Sequence, residues 1–332
     1  MSNAKFRVLI ADDLSKRAVE ILTSHPEIAV DVKTGLKGGD LVAAVKGVHA
    51  IAVRSATKVT AEVVEASDML QIVGRAGAGV DTIDVPACSR RGVLVVNTPG
   101  GNSVTTAEHA LFLLFSLVRH IPQATASVKA GKWEKKKFNG TEIFGKTLGV
   151  VGLGAIGRIV ADRALGMHMK VIACDPMIKK ESPPAHVTDL LARGIEIASF
   201  DELVRRSDMI TIHAPLMAET KNLFGEKVFS QMKKGAFLVN CARGGIVDEA
   251  AALQALDAGT LAGLALDVFV EEPPPPEHPL LKHERVICTP HVGASTNEAQ
   301  EKVAIDVAEQ IAAYLLRGEI GHAVNRDAVA KR

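Results

Sequence analysis

The sequence feature that most constrains this fold is a glycine fingerprint set between a strand-like run and a helical one. The fingerprint reads GLGAIG over Gly152–Gly157; it follows the apolar run Thr147–Val151 and opens a helical stretch over Arg158–Leu165. The next apolar run, Lys170–Cys174, leads into Asp175. In such a βαβ unit the three glycines allow a tight turn, close approach of a pyrophosphate to the helix N-terminus, and close packing of helix on strand. The segment therefore predicts a dinucleotide site, with a glycine turn that binds nothing as the alternative.

Asp175 indicates which dinucleotide fits. A carboxylate at this position accepts hydrogen bonds from the adenosine ribose hydroxyls and repels a 2′-phosphate, so it favours NAD over NADP. Lys179 and Lys180 lie close by along the chain and could offset that repulsion. NAD is the predicted cofactor, and NADP stays open.

The rest of the chain alternates strand-like apolar runs with helical patterns, which predicts βαβ units and parallel sheets. Only 4% of the 332 residues are aromatic, so Val, Ile, Leu and Ala must build the cores, as is typical of buried parallel strands. A second series of strands begins at Thr147 and continues to about Pro290, which predicts one unit inserted into another with hinges near residues 100 and 292. The strands of the first series are predicted at Phe6–Ala11, Ile28–Val32, Ala50–Val53, Leu70–Gly74 and Val93–Asn97.

Two helices flank the predicted insertion. The first runs from an N-cap at Ser103 to about Arg119 and is apolar on every face, so it must be buried on more than one side. Its place at a domain junction favours burial against a second copy of the chain over burial within one chain. The later helix is predicted to open with a capping box over Ser295–Glu298 and to end at Gly318.

Composition and charge exclude several classes of protein. Lys and Arg number 39 and Asp and Glu 38, and this net charge of +1 gives no support for a nucleic-acid or membrane partner. The 4 cysteines form no CxxC pair, so neither a metal site nor a disulfide framework is expected. The N-terminus lacks a signal-peptide pattern, and the longest apolar run, Ala110–Val118, is about half a membrane span. We expect a cytoplasmic protein that acts on a small molecule.

Three polar residues follow later predicted strands, at the ends where open α/β sheets bind ligands. Taken singly, an arginine there is more often an ion-pair partner, and a histidine is more often structural. Arg243 follows the run Ala236–Ala242, Glu272 follows Leu261–Phe269, and His291 follows Val286–Pro290.

Together these three residues suit hydride transfer between a hydroxyl-bearing carbon and a nicotinamide. Such a reaction needs an acid–base group that titrates near neutral pH, which histidine provides. A carboxylate such as Glu272 beside His291 would fix the imidazole tautomer and stabilise its protonated form. The guanidinium of Arg243 offers a planar fork that orients a substrate carboxylate.

The chain resembles the D-isomer-specific 2-hydroxyacid dehydrogenases. The resemblance covers residues from about 5 to about 325 and is carried by numerous ordered motifs. Its signature segments are Asn240–Asp248, Leu266–Pro273 and Thr289–Gly293. Four more segments resemble the family members that oxidise 3-phospho-D-glycerate, namely Val53–Thr57, Gly74–Asp81, Asn97–Pro99 and Gly131–Phe138.

The resemblance implies an α/β fold of two Rossmann-like, doubly wound parallel-sheet domains. An NAD-binding domain over residues 102–292 is expected to interrupt a flavodoxin-like substrate domain made of residues 1–101 and 293–332. A homodimer or homotetramer is implied as well. Longer family members carry a C-terminal regulatory module, and because this sequence stops at Arg332 we expect no serine-binding domain and no serine feedback of that type.

The resemblance also implies roles for individual residues. Arg243, Glu272 and His291 form the catalytic trio, with His291 as the acid–base group. The implied substrate contacts are Arg54, Arg75, Gly77, Ala78, Gly79 and Arg243, joined by Lys135–Lys137 of a partner subunit. Asp267 is expected to face the nicotinamide amide. The implied cofactor contacts are Gly152, Gly154, Ala155, Ile156, Gly157, Asp175, Ala214, Cys241, Ala242, Arg243, Asp267, His291 and Ala294.

Two residues depart from the pattern of some relatives. Ala78 and Ala214 stand where those relatives carry Thr, so a hydroxyl contact to the cofactor is expected to be missing. The expected reaction is NAD-dependent oxidation of 3-phospho-D-glycerate to 3-phosphooxypyruvate. The alternatives are the same chemistry on glyoxylate, hydroxypyruvate or D-lactate, and, more remotely, an NAD-sensing corepressor-like binding protein. Arg54 and Arg75 could also be simple solvated charges.

Overall fold

The structure is a computed structural model that describes residues 4–178 and 183–330. It divides into two compact units, one made of residues 1–102 and 294–332 and the other of Ser103–Gly293. Lys179 and Lys180, which bear on the choice between NAD and NADP, lie outside the described residues.

The first unit holds a five-stranded sheet in which every strand pairing is parallel. Strand order is β2-β1-β3-β4-β5, the order found in flavodoxin-like folds. Its strands are β1 Phe6–Ile10, β2 Ile28–Val32, β3 Ala50–Val53, β4 Ile72–Arg75 and β5 Leu94–Asn97, and its first helices are α1 Lys16–Thr23, α2 Gly38–Ala44, α3 Ala61–Glu65 and α4 Val85–Arg91.

The second unit holds a seven-stranded parallel sheet between helices. Its strands are β6 Thr147–Val151, β7 Lys170–Cys174, β8 Glu196–Ile197, β9 Met209–Ile212, β10 Ala236–Asn240, β11 Leu261–Leu266 and β12 Val286–Cys288. Its helices are α5 Ser103–Val118, α6 Ile121–Lys129, α7 Ala155–Gly166, α8 Ala185–Ala192, α9 Phe200–Arg206, α10 Glu226–Gln231, α11 Glu249–Asp257 and α12 Pro279–Lys282. Strand order is β12-β11-β10-β9-β6-β7-β8, a Rossmann arrangement with one added edge strand, so the predicted fold class is confirmed.

The chain then returns to the first unit with α13 Asn297–Arg317 and α14 Arg326–Ala330. Helix α13 lies directly on β4: a Cβ on Gly74 would sit 2.6 Å from Val307 Cγ2. Beyond α13, Ala323 pairs antiparallel with Val96, and the buried side chain of Asn325 accepts the Val95 amide. The last part of the chain therefore covers one face and the free edge of the first sheet.

The core of the first unit follows strand alternation. In β1, Val8 and Ile10 pack with α1 and α13 on one side, whereas Leu9 packs on the other side with Leu41 of α2. Strands β3 and β5 are buried at every position: β3 lies inside the sheet, and the free edge of β5 is covered by the returning end of the chain.

Several bounds of the predicted helices and strands are wrong. Ser103, predicted as the N-cap of α5, is the first residue within that helix. The N-cap of α13 is Thr296 rather than Ser295, because the Thr296 hydroxyl accepts the Ala299 amide at 3.2 Å; the predicted capping box at Ser295–Glu298 is therefore displaced by one residue. Strand β11 ends at Leu266, because the chain turns from Asp267 onward. Gly318 does end α13, in the left-handed conformation.

Among the described residues, no single helix has the length and apolar character to cross a membrane. In the described part of the chain, one pair of helices, α5 and α6, meets the criteria of length and composition when taken together, and it is bent by 62° at the junction.

Candidate active site

The fingerprint turn lies at the carboxyl end of β6, where the strand order of the second sheet reverses. Gly152 has a positive φ of 90°, and a Cβ there would sit 2.5 Å from the carbonyl oxygen of His213. A Cβ on Gly157 would collide with the carbonyl oxygen of Gly152. Gly154 caps α7, and nothing lies within 4 Å of its Cβ position. The first and third glycines thus allow close packing, and the second leaves open space before the helix N-terminus, which fits a pyrophosphate.

Asp175 is bound to the fingerprint turn that it was predicted to complement. Its carboxylate accepts the Leu153 amide at 2.8 Å and the Met177 amide at 2.9 Å. Ala155 and Ile156 form the first turn of α7, and the Ile156 side chain packs against the core. The carboxylate that is predicted to bind the ribose is therefore held at a fixed place beside the fingerprint turn.

The other predicted cofactor residues of this unit follow the carboxyl ends of neighbouring strands. Ala214 follows β9, Cys241 and Ala242 follow β10, and Asp267 follows β11 directly. Burial, and then the nearby Asp267 carboxylate, raise the pKa of the Cys241 thiol well above its ordinary value, so this thiol stays protonated. Ala294 comes directly after this unit, as the first residue of the returning segment.

Arg243 sits on a tight loop after β10. The Arg243 carbonyl accepts the Asn240 side-chain amide at 2.9 Å, and its Nη1 donates to the Ala242 carbonyl at 2.7 Å. A Cβ on the next residue, Gly244, would collide with the Phe269 carbonyl. The Arg243 loop therefore packs directly on the loop that carries Glu272.

Glu272 and His291 form a hydrogen-bonded pair. Glu272 Oε2 lies 2.7 Å from His291 Nδ1, and Glu272 Oε1 accepts the Phe269 amide at 3.0 Å. The His291 side chain is 50% exposed and that of Glu272 38%. The carboxylate fixes the ring through Nδ1, which leaves Nε2 to exchange a proton with a ligand.

Asp267 organises the segment that carries His291. Its carboxylate, 1% exposed, accepts the Val292 amide at 2.9 Å, the Gly293 amide at 2.8 Å and the Thr289 hydroxyl at 2.5 Å. Burial alone would raise the pKa of Asp267, but the hydrogen bonds from His109, Thr289 and these two amides outweigh burial and lower that pKa. Asp267 is therefore an anion with several partners inside its own chain, in addition to any ligand it meets.

In the first unit, Arg54 follows β3 and is held by a buried aspartate. Asp12, 4% exposed, accepts the Arg54 amide at 2.6 Å and the Thr57 hydroxyl at 2.7 Å. The Arg54 guanidinium donates to the Asp13 carbonyl at 3.2 Å.

Arg75 ends β4 and lies over the glycine loop that follows it. Its Nη1 donates to the Ala76 carbonyl at 3.2 Å, and its guanidinium occupies the place that a Cβ on Gly77 would need. The Gly77 amide donates to the Thr98 hydroxyl at 2.7 Å, and the Asn97 side chain donates to the Ala78 carbonyl at 2.6 Å. The predicted loop of Gly77, Ala78 and Gly79 is thus shaped from the end of β5.

Sequence reasoning missed several residues that support these loops. Asp12 and His109 act through contacts far along the chain, and no local pattern marks them. Thr98 and Thr289 lie in segments that carry the family resemblance, but the sequence did not indicate their contacts with Gly77 and Asp267. Glu249 is a further example: its carboxylate accepts the Val270 amide at 2.8 Å and lies 3.1 Å from His278 Nε2. An acidic residue in the first turn of a helix is common, so nothing in the sequence distinguishes Glu249 from other residues at the start of helices.

Residues 111–293 match the family model for the NAD-binding domain of D-isomer specific 2-hydroxyacid dehydrogenases. The chain belongs to this family. The matched region is the second unit with its fingerprint turn, so the prediction of an NAD cofactor is confirmed.

Relatives and solved structures of this dehydrogenase family cover nearly all of the chain. A D-3-phosphoglycerate dehydrogenase of Archaeoglobus fulgidus is 47% identical over 319 residues, which are 96% of this chain and 59% of that protein. This chain therefore spans about three-fifths of that relative's length. A crystal structure of a protein from Thermus thermophilus matches with a TM-score of 0.86 and 32% identity over 96% of this chain and 100% of its own. An NAD-dependent formate dehydrogenase from Staphylococcus aureus, solved with NAD, matches with a TM-score of 0.81 and 29% identity over 95% and 97% of the two chains.

Proposed function

We propose that this chain catalyses the NAD-dependent oxidation of 3-phospho-D-glycerate to 3-phosphooxypyruvate. The observation that carries the proposal is the 2.7 Å contact between His291 and Glu272, on the same sheet edge as the fingerprint turn and the Arg243 loop. The substrate is proposed because the Archaeoglobus fulgidus relative, 47% identical, is named for it. Basic side chains at the ends of β3 and β4 suit a phosphorylated acid as well.

His291 is the proposed acid–base group. NAD, when bound, accepts the hydride that leaves C2 of the substrate. His291 Nε2 takes the proton of the C2 hydroxyl, and Glu272 stabilises the imidazolium that forms because it is bonded to Nδ1. In the reverse direction the same imidazolium returns its proton to the oxygen of the ketone.

Arg243 is the proposed anchor for the substrate carboxylate. Its guanidinium can bind a carboxylate through two parallel hydrogen bonds, which fixes the orientation of C2. The Gly77–Gly79 loop, with its backbone amides, is proposed to share that role. Charged partners for the phosphate are proposed to be Arg54, Arg75 and the run Lys135–Lys137 of a partner subunit.

A homodimer is the proposed assembly. Helices α5 and α6 and the chain after them expose large apolar side chains: Phe112 is 63% exposed, Ile121 51%, Val128 54%, Trp133 75% and Phe144 67%. Exposed apolar side chains in such number are typical of surfaces that a partner covers. A second copy that covers α5 would also explain why this helix is apolar on all sides.

The proposal is tested by following NADH absorbance while the purified protein meets 3-phosphooxypyruvate, hydroxypyruvate, glyoxylate or pyruvate. We expect a strong preference for the phosphorylated acid and loss of turnover in Arg243→Ala and His291→Ala. Preference for an unphosphorylated acid would overturn the proposed substrate. Wild-type turnover in either variant would overturn the proposed roles, and NAD-dependent peptide binding without any turnover would favour the corepressor-like alternative.

A further inference from the structure

His109, on α5, contacts the segment that carries His291. Its Nε2 lies 3.1 Å from Thr289 Oγ1 and 3.3 Å from Asp267 Oδ1. The single proton of the Thr289 hydroxyl is directed to Asp267, so the Thr289 oxygen can only accept from His109. This fixes His109 as a donor at Nε2, aimed at both an alcohol and a buried carboxylate.

The Asp267 carboxylate thus accepts hydrogen bonds both from His109 on α5 and from the loop after β12. The Asp267 carbonyl adds a further bond, because it accepts the His291 amide at 2.9 Å. The His109 ring also packs on this loop, since a Cβ on Gly293 would lie 3.6 Å from His109 Cδ2. Every residue from Thr289 to Gly293 except Pro290 is therefore tied to Asp267, and His109 supplies the link to α5.

The backbone conformation of His291 is one that non-glycine residues seldom adopt. His291 has a positive φ of 53°, a left-handed backbone conformation that is uncommon for a non-glycine residue and that its surroundings must hold in place. Because the ring direction follows from the backbone, this conformation also decides whether Nδ1 reaches Glu272.

We propose that His109 is a positioning residue for the acid–base group. Acting through Thr289 and Asp267, it holds the His291 segment in the strained conformation that places the imidazole against Glu272. The part of this inference that concerns turnover rests on the proposed dehydrogenase function; the part that concerns the conformation of the segment does not.

Three variants separate positioning from simple packing. His109→Phe keeps a ring of similar size and removes the donor, whereas His109→Gln restores an N–H near the position of Nε2. Glu108→Gln is the matched control, because the neighbouring Glu108 pairs with Arg163 of α7 at 3.0 Å and not with the His291 segment.

Steady-state kinetics with NADH and 3-phosphooxypyruvate give the first readout. We expect His109→Phe to lower kcat about ten- to a hundredfold, the size of effect that displacement of a reacting group produces, with KM changed less than about threefold. His109→Gln should recover kcat to within about threefold of the wild type. Equal kcat in His109→Phe and the wild type, or equal loss in the Phe and Gln variants, would overturn the proposal.

Amide hydrogen exchange gives a second readout that does not depend on turnover. In His109→Phe the amides of His291, Val292 and Gly293 should exchange faster than in the wild type, whereas Glu108→Gln should leave them unchanged. If the wild type turns over none of the acids, the proposed function fails while exchange still decides the role of His109. Should His109→Phe not fold, Thr289→Val removes the same bridge and should raise exchange at the same amides; unchanged exchange there would overturn the proposal.

Discussion

At the fingerprint turn, single glycines decide how closely two backbone segments approach. Gly157 lies against the Gly152 carbonyl with no room for a side chain, whereas Gly166, at the other end of α7, has nothing within 4 Å of its Cβ position. A side chain at Gly157 is therefore excluded by a steric clash, whereas at Gly166 glycine differs from alanine only in the conformational entropy of the chain.

We predict opposite effects of alanine at these two positions. Gly157→Ala should push α7 away from the turn and weaken NADH binding at least tenfold, because the pyrophosphate site depends on that packing. Gly166→Ala should leave NADH binding unchanged and raise the free energy of unfolding by up to about 1 kcal/mol, since alanine restricts the unfolded chain. Fluorescence titration with NADH and urea denaturation measure the two quantities. Wild-type NADH affinity in Gly157→Ala would contradict the steric argument.

The buried imidazole of His213 should make the stability of the folded protein depend on pH. Burial lowers the pKa of His213 to about 4, while an unfolded histidine titrates near 6.5. As the pH falls, the imidazole of His213 is protonated in the unfolded chain at a higher pH than in the folded protein. The burial of neutral His213 therefore contributes fully to stability above about pH 6.5, and its contribution falls as the pH drops toward 4. The loss should approach about 3 kcal/mol, from roughly 1.4 kcal/mol per pKa unit.

Denaturation of the wild type and His213→Gln between pH 7.5 and 4.5 measures this contribution. Glutamine can keep the contact with Thr211, whose hydroxyl lies 2.9 Å from His213 Nε2, and it does not titrate. The variant should therefore lose less stability on acidification, while His322→Gln, at an exposed site, should follow the wild type. Parallel profiles for the wild type and His213→Gln would show that His213 does not control this pH range.

At the scale of elements, the ends of parallel strands in the first unit hold one another's loops. Asp12 after β1 binds the loop after β3, and Thr98 after β5 binds the loop after β4. Because parallel strands end at the same edge, side chains distant in sequence become neighbours there. A loop with a proposed ligand-binding role is thus fixed by a residue on another strand.

We predict that Asp12→Asn impairs this support. Asparagine has a single side-chain oxygen, so when that oxygen accepts from either the Arg54 amide or the Thr57 hydroxyl, the NH2 group faces the other donor. We expect this mismatch to lower the free energy of unfolding by about 1–3 kcal/mol. If Arg54 binds the phosphate, KM for 3-phosphooxypyruvate should rise several-fold, with kcat changed much less. Asp13→Asn is the control, because the exposed Asp13 contacts Arg54 only through its backbone carbonyl. Equal KM values in Asp12→Asn and Asp13→Asn would show that Asp12 does not support the loop that carries Arg54.

The strands and the fingerprint could be predicted from the sequence because their signals are local. Strands β2, β3, β6 and β7 have the predicted bounds, since apolar runs flanked by turn residues coincide with buried parallel strands. The contacts that shape the candidate site are not local. His109 and Thr289 are 180 positions apart, and only the topology of the sheet brings them together. The capping box failed for a different reason: two adjacent hydroxyl residues, Ser295 and Thr296, could each cap the helix, and pattern alone does not choose between them.

At the scale of the whole molecule, the proposed dimer makes a prediction about the exposed apolar side chains. Phe112→Glu places a charge on the exposed side of α5 and should convert a dimer into monomers, because burying an unpaired carboxylate at an interface is costly. Val32→Glu is the control: Val32 is 54% exposed, but it lies on β2 of the other unit. Sedimentation velocity of both variants measures the assembly. A wild-type monomer, or a Phe112→Glu dimer, would contradict the proposed interface.

The return of the chain to the first unit has a consequence for how the protein is made. On the ribosome, the first five strands emerge long before α13, because the whole of residues 103–293 is synthesised in between. At about 5–20 residues per second, β4 and Gly74 wait roughly 12 to 47 seconds for Val307 and Ile311 to cover them. During that interval α13 is not yet available to cover β4, whereas the inserted unit has all of its strands once Cys288 has been made. The order of synthesis therefore completes the inserted unit before the earlier-made sheet receives the helix that covers it.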